Sequence, residues 1–330
     1  MAIESRIKNK RPMRAKLIFN SGSGSSDQKP IQLLDVISEM QAWNIIPEPF
    51  LIEPDCDLPG VIEDALEHGM RMFVVCGGDG TISTSARSLA GSRATLGIIP
   101  TGTQNNTARS LNIPVNDIPA AVAILRSGQR IKVDVGMAEC GGIKTPFLEV
   151  CSVGLVSSLF PSADDVQHGN LGRVGDFLAT LVASPPAEIR LLLDNKKEIR
   201  NFGHIVLVSN MPFIGLHYQV GALSAFNDGL LDVLFFADLN KLDLLGYVLT
   251  GVGEGKPEDP RIQHYHVRKA SIDTQPGMPV MVDGTALGDG LVQIKVQRHA
   301  LAVMVAQAMP EQATASEEAI EKQINDAALA

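Results

Sequence analysis

Cysteine and long apolar runs are scarce in this 330-residue chain. The four cysteines, Cys56, Cys76, Cys140 and Cys151, include no Cys-x-x-Cys pair and no zinc-ligand spacing. Such usage is typical of a reducing compartment. No apolar run reaches the roughly 18 residues of a membrane-spanning helix, and the N-terminus lacks the apolar segment of a secretory signal. We therefore expect a cytoplasmic protein without a transmembrane segment.

The chain also has fewer basic than acidic residues, and few aromatic side chains. Lysine and arginine number 28 against 37 acidic residues, a formal charge of −9, and aromatic residues make up 5% of the chain. Negative charge opposes contact with phosphate backbones, and few aromatic rings are available to stack on bases, so we expect no nucleic-acid partner. The exception is residues 6–16, which contain six basic residues and no acidic one. This run is either a solvated terminus or a contact with an anionic membrane surface.

The first half of the chain has the pattern of a doubly wound α/β domain. Short apolar runs alternate with longer amphipathic ones, as in parallel sheets whose strands are joined by crossover helices. We assign this domain to residues 1–131, with the basic residues 1–14 as a flexible start. Strands are predicted at residues 15–19, 46–52, 72–75 and 95–99, and helices at 30–42, 59–67, 82–89, 105–111 and 118–125.

The second half has a different pattern of apolar residues. Short β-branched or alternating runs are separated by Gly, Pro and Asn, which predicts an antiparallel β domain over residues 132–306. Residues 171–183 are predicted to form a helix that either packs in the core or lines an apolar substrate groove. Residues 307–330 form a tail, for which packing back on the first domain is one option. Strands are predicted at residues 205–209, 231–236, 270–274, 279–282 and 292–296.

A glycine-rich loop follows the third predicted strand. Residues 77–81 read Gly-Gly-Asp-Gly-Thr, between an apolar strand and the start of a helix. Backbone N–H groups of glycines can approach a phosphate closely, and a helix N-terminus carries partial positive charge. Asp79 would repel a bare phosphate, so it predicts a cation such as Mg²⁺ or a donor hydroxyl beside it. A plain glycine turn with Asp79 or Thr81 as helix cap is the alternative.

A second loop of this kind follows the next strand. Residues 100–105 read Pro-Thr-Gly-Thr-Gln-Asn, and the two loops are expected at one edge of the sheet, where both can contact one triphosphate. Together they resemble the catalytic domain of the diacylglycerol kinase superfamily, which includes bacterial diacylglycerol and lipid kinases and the sphingosine and ceramide kinases. Further segments similar to the family lie at residues 20–24, 147–155, 225–233 and 282–284.

The resemblance implies a nucleotide-binding α/β domain followed by an antiparallel β-sandwich-like domain, with ATP and a lipid hydroxyl meeting in the cleft between them. It implies an ATP- and Mg²⁺-dependent kinase of phospholipid biosynthesis that phosphorylates diacylglycerol or a related long-chain alcohol at the inner membrane surface. The implied catalytic residues are Asp283 and Asp79. Ala225, Asp228 and Leu230 are the implied Mg²⁺ ligands. The implied nucleotide-binding residues are Asn20, Gly77, Gly78, Asp79, Gly80, Thr81, Gly102, Thr103 and Asn105.

Three positions depart from the family pattern. Thr285 stands where bacterial members usually have a glutamate, and Asn106 and Thr84 replace two further acidic residues. Either Asp283 or Asp79 then acts as the base, or the chain is a catalytically silent nucleotide- and lipid-binding regulator. We favour the kinase because both phosphate loops are intact. An NAD kinase-like activity is a third hypothesis, since such enzymes share the Gly-Gly-Asp-Gly loop, and a homodimer is left open.

Overall fold

The structure, a computed structural model, describes residues 11–24, 32–154, 186–214, 218–219, 225–237, 239 and 261–307. The start of the basic run, the helix predicted at residues 171–183 and the tail beyond residue 307 lie outside these ranges. The longest described helix has 11 residues, and none is long and apolar enough to cross a membrane. The described helices are α1 (Leu33–Ala42), α2 (Leu58–Glu67), α3 (Asp79–Leu89), α4 (Asn106–Ser110) and α5 (Ile118–Ser127).

Four parallel strands form the sheet of the first half: β1 (Met13–Phe19), β2 (Ile45–Leu51), β3 (Met72–Gly77) and β4 (Thr95–Pro100). Their order is β2-β1-β3-β4. Every residue of β3 and β4 is buried, as expected for central parallel strands covered by helices. The doubly wound α/β arrangement is therefore confirmed.

The helices of this half occur where the sequence predicts them, with differences of up to three residues at their ends. α1 begins at Leu33, three residues after the predicted start, with Gln32 as its N-cap residue. α3 begins at Asp79, three residues before the predicted start, because Gly78 is extended and serves as its N-cap residue. α4 has only 5 residues and begins after Asn105, whose backbone is left-handed with φ 52°. Helices α3 and α4 therefore start directly at the glycine-rich loops.

Aspartate side chains cap two of the other helices. Asp57 accepts a hydrogen bond from the Gly60 N–H at 3.0 Å, and Asp117 accepts one from the Ala120 N–H at 2.9 Å. Each of these helices, α2 and α5, also has a proline in its first turn, where the missing N–H costs no intrahelical bond. Caps of this kind contribute about 0.5–2 kcal/mol each, so the local sequence fixes both helix starts.

Antiparallel pairing dominates the second half. A 3₁₀ turn, Ala225–Asn227, lies within it. The strands are β5 (Gln129–Cys140), β6 (Ile143–Phe147), β7 (Val150–Gly154), β8 (Ala187–Leu193), β9 (Lys197–Ser209), β10 (Phe213–Ile214), β11 (Tyr218–Gln219), β12 (Leu231–Ala237), β13 (Ile262–Val267), β14 (Lys269–Gln275), β15 (Pro279–Val282), β16 (Thr285–Asp289) and β17 (Val292–Val305). The five predicted strands lie within β9, β12, β14, β15 and β17, which confirms a β-rich second half.

A ribbon of two long strands, β5 and β17, joins the two halves. These strands pair from end to end, with one irregularity between Gln297 and Leu301. Val303 of β17 lies in the apolar core of the first half, whereas Ile294 lies in the core of the second. β17 also pairs in parallel with β4, so 15 of the described strands form one continuous sheet. The domain boundary at residue 131 stays a prediction, because this ribbon contributes to both cores.

Candidate active site

The candidate site lies where β1, β3 and β4 end, at the carboxyl edge of the parallel sheet. Asn20 follows β1, and its Nδ2 donates a hydrogen bond to Thr81 Oγ1 at 2.9 Å. The Asn20 backbone N–H donates to the Cys76 carbonyl at 2.9 Å. Ser23, in the same loop, lies 2.6 Å from Thr101, hydroxyl to hydroxyl. The loop after β1 is thus fastened to both glycine-rich loops, as expected for a ligand site at a sheet edge.

The two glycine-rich loops are in direct backbone contact. The Thr101 N–H donates a hydrogen bond to the Gly77 carbonyl at 3.0 Å. A Cβ atom at Gly102 would lie 2.5 Å from the Gly78 Cα, so this approach requires glycine. Asn105 closes the second loop, since its Oδ1 accepts from the Gly102 N–H at 2.9 Å and its Nδ2 donates to the Gly102 carbonyl at 2.6 Å.

The other residues predicted to bind the nucleotide lie on the same loops. Gly80 and Thr103 are exposed, whereas Thr81 and Asn105 are buried. The buried side chains hold the loops in shape, and the exposed positions leave their surface open to a ligand. The structure therefore brings together all the predicted loop residues, and their binding of a nucleotide stays a prediction.

Two carboxyl groups meet beside these loops. Asp79, in the first turn of α3, accepts a hydrogen bond from the Thr107 N–H at 3.3 Å. Glu149, between β6 and β7, accepts one from the Thr107 hydroxyl at 2.6 Å. Glu149 is buried, and a carboxyl group in such a place must be paired or protonated. Thr107 at the start of α4 thus bridges an acid of the first glycine loop and an acid of the short connection between β6 and β7.

Asp283 lies beside this pair and is held by backbone amides. Its Oδ2 accepts from the Leu148 N–H at 2.8 Å, and its Oδ1 accepts from the N–H groups of Glu149 and Val150, both at 3.0 Å. Its own N–H donates to the Val150 carbonyl at 2.9 Å. With φ 44°, Asp283 is left-handed and opens the turn between β15 and β16. The structure therefore places the two predicted catalytic aspartates on either side of Glu149.

Burial raises the pKa of all three acids. For Glu149, burial and then the charges of Asp79 and Asp283 raise the pKa well above its ordinary range. For Asp79, burial raises the pKa, although hydrogen bonds from backbone N–H groups of α4 and from Glu149 lower it in part. For Asp283, burial raises the pKa, although the hydrogen bonds from three backbone amides and the positive charge of Arg87 lower it in part. The hydrogen bond between the two side chains raises the pKa of Glu149 and lowers that of Asp79, so Glu149 holds a shared proton more firmly and Asp79 is the first of the pair to ionise.

Glu149 is the site residue that the sequence analysis does not identify. The available signal is a single acid in the apolar run Phe-Leu-Glu-Val-Cys at residues 147–151. A lone buried acid requires a polar partner. That partner, Thr107, lies 42 residues away in the chain, so the pairing depends on tertiary structure.

Arg87 links two of the three positions that depart from the family pattern. Its Nη1 donates to Thr285 Oγ1 at 3.3 Å, and its Nη2 donates to Thr84 Oγ1 at 3.1 Å. At the third position, Asn106 is buried and its Nδ2 donates to Gln104 Oε1 at 3.2 Å. Through Arg87, the neutral Thr285 after the Asp283 turn is therefore linked to the neutral Thr84 on α3.

The residues implied as Mg²⁺ ligands form a separate group around the 3₁₀ turn that contains Ala225. Asp228 Oδ1 accepts from the Leu230 N–H at 2.8 Å, and the Gly229 N–H donates to Asp134 Oδ2 at 2.7 Å, which ties this turn to β5. Burial raises the pKa of Asp228, and two nearby carboxylates raise it further. A bound cation would relieve that repulsion. One carboxylate with two backbone carbonyls is a donor set that fits Mg²⁺.

Known protein families match both halves. Residues 14–138 match the diacylglycerol kinase catalytic domain. Residues 164–305 match the YegS C-terminal NAD kinase beta sandwich-like domain. The two matches occur in this order along most of the chain. The two matches confirm the resemblance to the diacylglycerol kinase catalytic-domain superfamily that the glycine-rich loops indicate.

Individual proteins are similar at low identity. An uncharacterized protein of Synechocystis sp. is 27% identical over 235 residues, which cover 69% of this chain and 53% of that protein, so the chain spans about half its length. The diacylglycerol kinase of Bacillus subtilis is 24% identical over 279 residues, covering 82% of this chain and 89% of that enzyme. The crystal structure of a diacylglycerol kinase from Bacillus anthracis, at 20% identity, covers 90% of this chain and 98% of that chain with a TM-score of 0.66. This last likeness confirms the fold.

Proposed function

We propose that the protein is an ATP- and Mg²⁺-dependent lipid kinase, a phosphotransferase whose acceptor is the hydroxyl of diacylglycerol or a related long-chain alcohol. The observation that supports it is the packing of two glycine-rich loops beside the Asp79–Glu149 pair. Phosphoryl transfer depends on positioning and charge stabilisation more than on covalent chemistry. Backbone N–H groups for phosphates, next to a proton acceptor, meet that requirement.

Asp79 is the residue we assign as the base. It carries the single negative charge of the pair, and its raised pKa brings it closer to the pH at which a general base is most effective. The alcohol proton passes to the Asp79 carboxylate, while Glu149 keeps its own proton and orients Asp79. Asp283 uses both oxygens to accept backbone N–H groups, so we assign it as a positioning residue that holds Glu149 in place.

Mg²⁺ has two roles in this proposal. At the turn before β12, Asp228 with the carbonyls of Ala225 and Leu230 would hold one ion and stabilise the turn. Mg²⁺ accompanying ATP supplies neutralisation of phosphate charge. Asn20 and Thr103 line the loops to which the nucleotide phosphates would bind.

A lipid acceptor requires contact with a membrane. The basic residues 6–16 support a peripheral position at the inner membrane surface of a cytoplasmic protein, because each cation near an anionic surface contributes about 1 kcal/mol. Removal of residues 1–10, which precede β1, should then weaken sedimentation with anionic vesicles and leave neutral vesicles unaffected. A role in phospholipid biosynthesis follows from the proposed product class, and the homodimer stays a prediction.

The decisive experiment incubates the full chain with radiolabelled ATP, Mg²⁺ and a panel of lipid alcohols, and identifies the labelled product by mass. We expect a phosphorylated lipid, and a loss of roughly 100- to 10,000-fold in kcat for Asp79→Asn. Glu63→Gln, on the exposed surface of α2, is the matched control and should turn over normally. The absence of labelled lipid under all detergent and vesicle conditions would refute the proposal.

A catalytically silent nucleotide- and lipid-binding regulator is the second candidate. The neutral residues Thr84, Asn106 and Thr285 favour it, because they stand where acidic residues are usual in the family. ATP binding measured by calorimetry, together with no transfer to any lipid, would support this candidate. NADP formation, assayed directly, tests the NAD kinase-like hypothesis, which the description of the matched C-terminal domain motivates.

A further inference from the structure

An aspartate and two histidines converge on the second half of the molecule, on neighbouring strands. In the antiparallel pair of β12 and β13, Asp232 lies directly opposite His266, and His264 lies opposite Leu234. Residues two apart on a strand share a face of the sheet, as do residues directly opposite one another. Asp232, His264 and His266 are therefore presented on one face by two hydrogen-bonded strands, which fix their separation.

The three side chains aim their ligand atoms at one point. The Nε2 atoms of His264 and His266 lie 2.7 Å and 3.1 Å from the same oxygen, Asp232 Oδ1. The two rings are 4.6 Å apart between centroids, and all three ligand atoms lie within 4.8 Å of one another. In a tetrahedral zinc site, bonds of about 2.0–2.1 Å place ligand atoms roughly 3.3 Å apart. Small side-chain rotations would open the cluster to that size.

The surroundings also suit a cation. The Asp232 side chain is 7% exposed, whereas those of His264 and His266 are 32% and 46% exposed. The cluster thus combines a buried negative charge with two accessible imidazoles, and leaves its outer side open to water. Asp228 adds a further negative charge near His266, and opposite charge at short range favours a bound dication.

We propose that Asp232, His264 and His266 form a binding site for a divalent transition-metal ion, with Zn²⁺ as the expected ion and water completing its coordination. Imidazole ligands select Zn²⁺, Cu²⁺ or Ni²⁺, whereas Mg²⁺ prefers oxygen ligands throughout. This site is therefore chemically distinct from the all-oxygen Mg²⁺ turn at Asp228, and it does not depend on the proposed kinase activity. A bound ion would cross-link β13 to β12, because its ligands come from both strands.

The test uses the tag-free full chain, stripped of metal with a chelator and titrated with Co²⁺, whose visible spectrum reports tetrahedral nitrogen and oxygen ligation. We expect one Co²⁺ per chain, displaced by Zn²⁺ and not by excess Mg²⁺. His264→Ala and His266→Ala should each weaken Co²⁺ binding by at least about tenfold, since even loss of a second-shell partner costs that much.

His68→Ala is the matched control. His68 is an exposed histidine that also pairs with an aspartate, Asp64, at 3.3 Å, but among the described residues no third ligand side chain lies close enough to join that pair. Its removal should leave Co²⁺ binding unchanged. Thermal unfolding of each variant in the metal-free state should remain one cooperative transition, although loss of a partner of the buried Asp232 lowers its midpoint; this separates lost binding from lost folding. Three results would overturn the proposal: no Co²⁺ or Zn²⁺ binding, binding that survives the His264→Ala/His266→Ala double change, or displacement of Co²⁺ by Mg²⁺.

Discussion

Replacing Asp283 with asparagine tests how the turn between β15 and β16 is held against the start of β7 at the site. The aspartate accepts three backbone N–H groups, one on Oδ2 and two on Oδ1. In Asp283→Asn, Oδ1 can still accept from Glu149 and Val150, but the new NH₂ group faces the Leu148 N–H, donor against donor. Leu148 is buried, so its N–H would have no water to bond instead.

The expected loss of stability follows from the single buried Leu148 N–H that is left without an acceptor. A buried unsatisfied N–H destabilises a protein by about 1–3 kcal/mol. The two surviving bonds also weaken when the acceptor loses its charge, but relief from burying a carboxylate offsets this loss, in keeping with the raised pKa of Asp283. We therefore expect a net destabilisation of about 1–3 kcal/mol.

Urea unfolding measures this change directly. Asp289→Asn is the matched control, because Asp289 lies at the other end of the same β15–β16 hairpin and is exposed, and its free energy of unfolding should stay within about 0.5 kcal/mol of the wild type. Misplacement of Glu149 should also lower kcat by roughly a hundredfold with little change in ATP binding. If Asp283→Asn unfolds like Asp289→Asn, the three-amide anchor does not stabilise the fold, and the reasoning fails.

Three further predictions concern the loops and the acid pair. Ionisation of Glu149, as the pH rises through its raised pKa, should lower kcat/KM. Glu149→Gln should abolish that decline in a pH profile; a decline that persists would show that another group titrates. Because the pKa of Glu149 is raised from 4.5, the folded state binds the extra proton, so wild-type stability should fall as pH rises above this value. Glu149→Gln should make that fall smaller in urea unfolding at a series of pH values, and the raised pKa values of Asp79 and Asp283 account for the remainder. Gly102→Ala should cost about 1–3 kcal/mol and weaken ATP binding in calorimetry. Gly80→Ala lies in α3, and its Cβ would meet nothing within 4 Å, so this variant should be at least as stable as the wild type; equal stability of both variants would contradict the loop packing. Arg87→Lys keeps the charge but cannot span two hydroxyls, so it should lose about 1 kcal/mol on urea unfolding, and no loss would mean that the contacts to Thr84 and Thr285 are too solvated to matter.

The α/β half could be predicted from the sequence because its signals are local. The apolar run of β3 is followed at once by glycines and then by a helix, and each of these features is read from adjacent residues. The start of α3 is misplaced by three residues because the pattern of apolar residues does not reveal that Gly78, rather than a later residue, is the cap.

The acid pair and the contacts between distant segments of the chain could not be predicted in this way. The contact of Arg87 with Thr285 joins residues 198 positions apart, and that of Leu148 with Asp283 spans 135. Such contacts depend on the register of β15 against β7, which no local pattern specifies. Neighbouring strands likewise bring Asp232 to His264, although 32 residues separate them.

The β5–β17 ribbon has a consequence for how the chain can be divided. Asp134 of β5 accepts the N–H of His299 at 2.6 Å, just where the pairing with β17 is irregular. A fragment that stops after the α/β half would lose the strand that flanks β4, and a fragment that starts there would lose neighbours of its own. Neither half should therefore fold when expressed separately, and heating should melt both in one cooperative step.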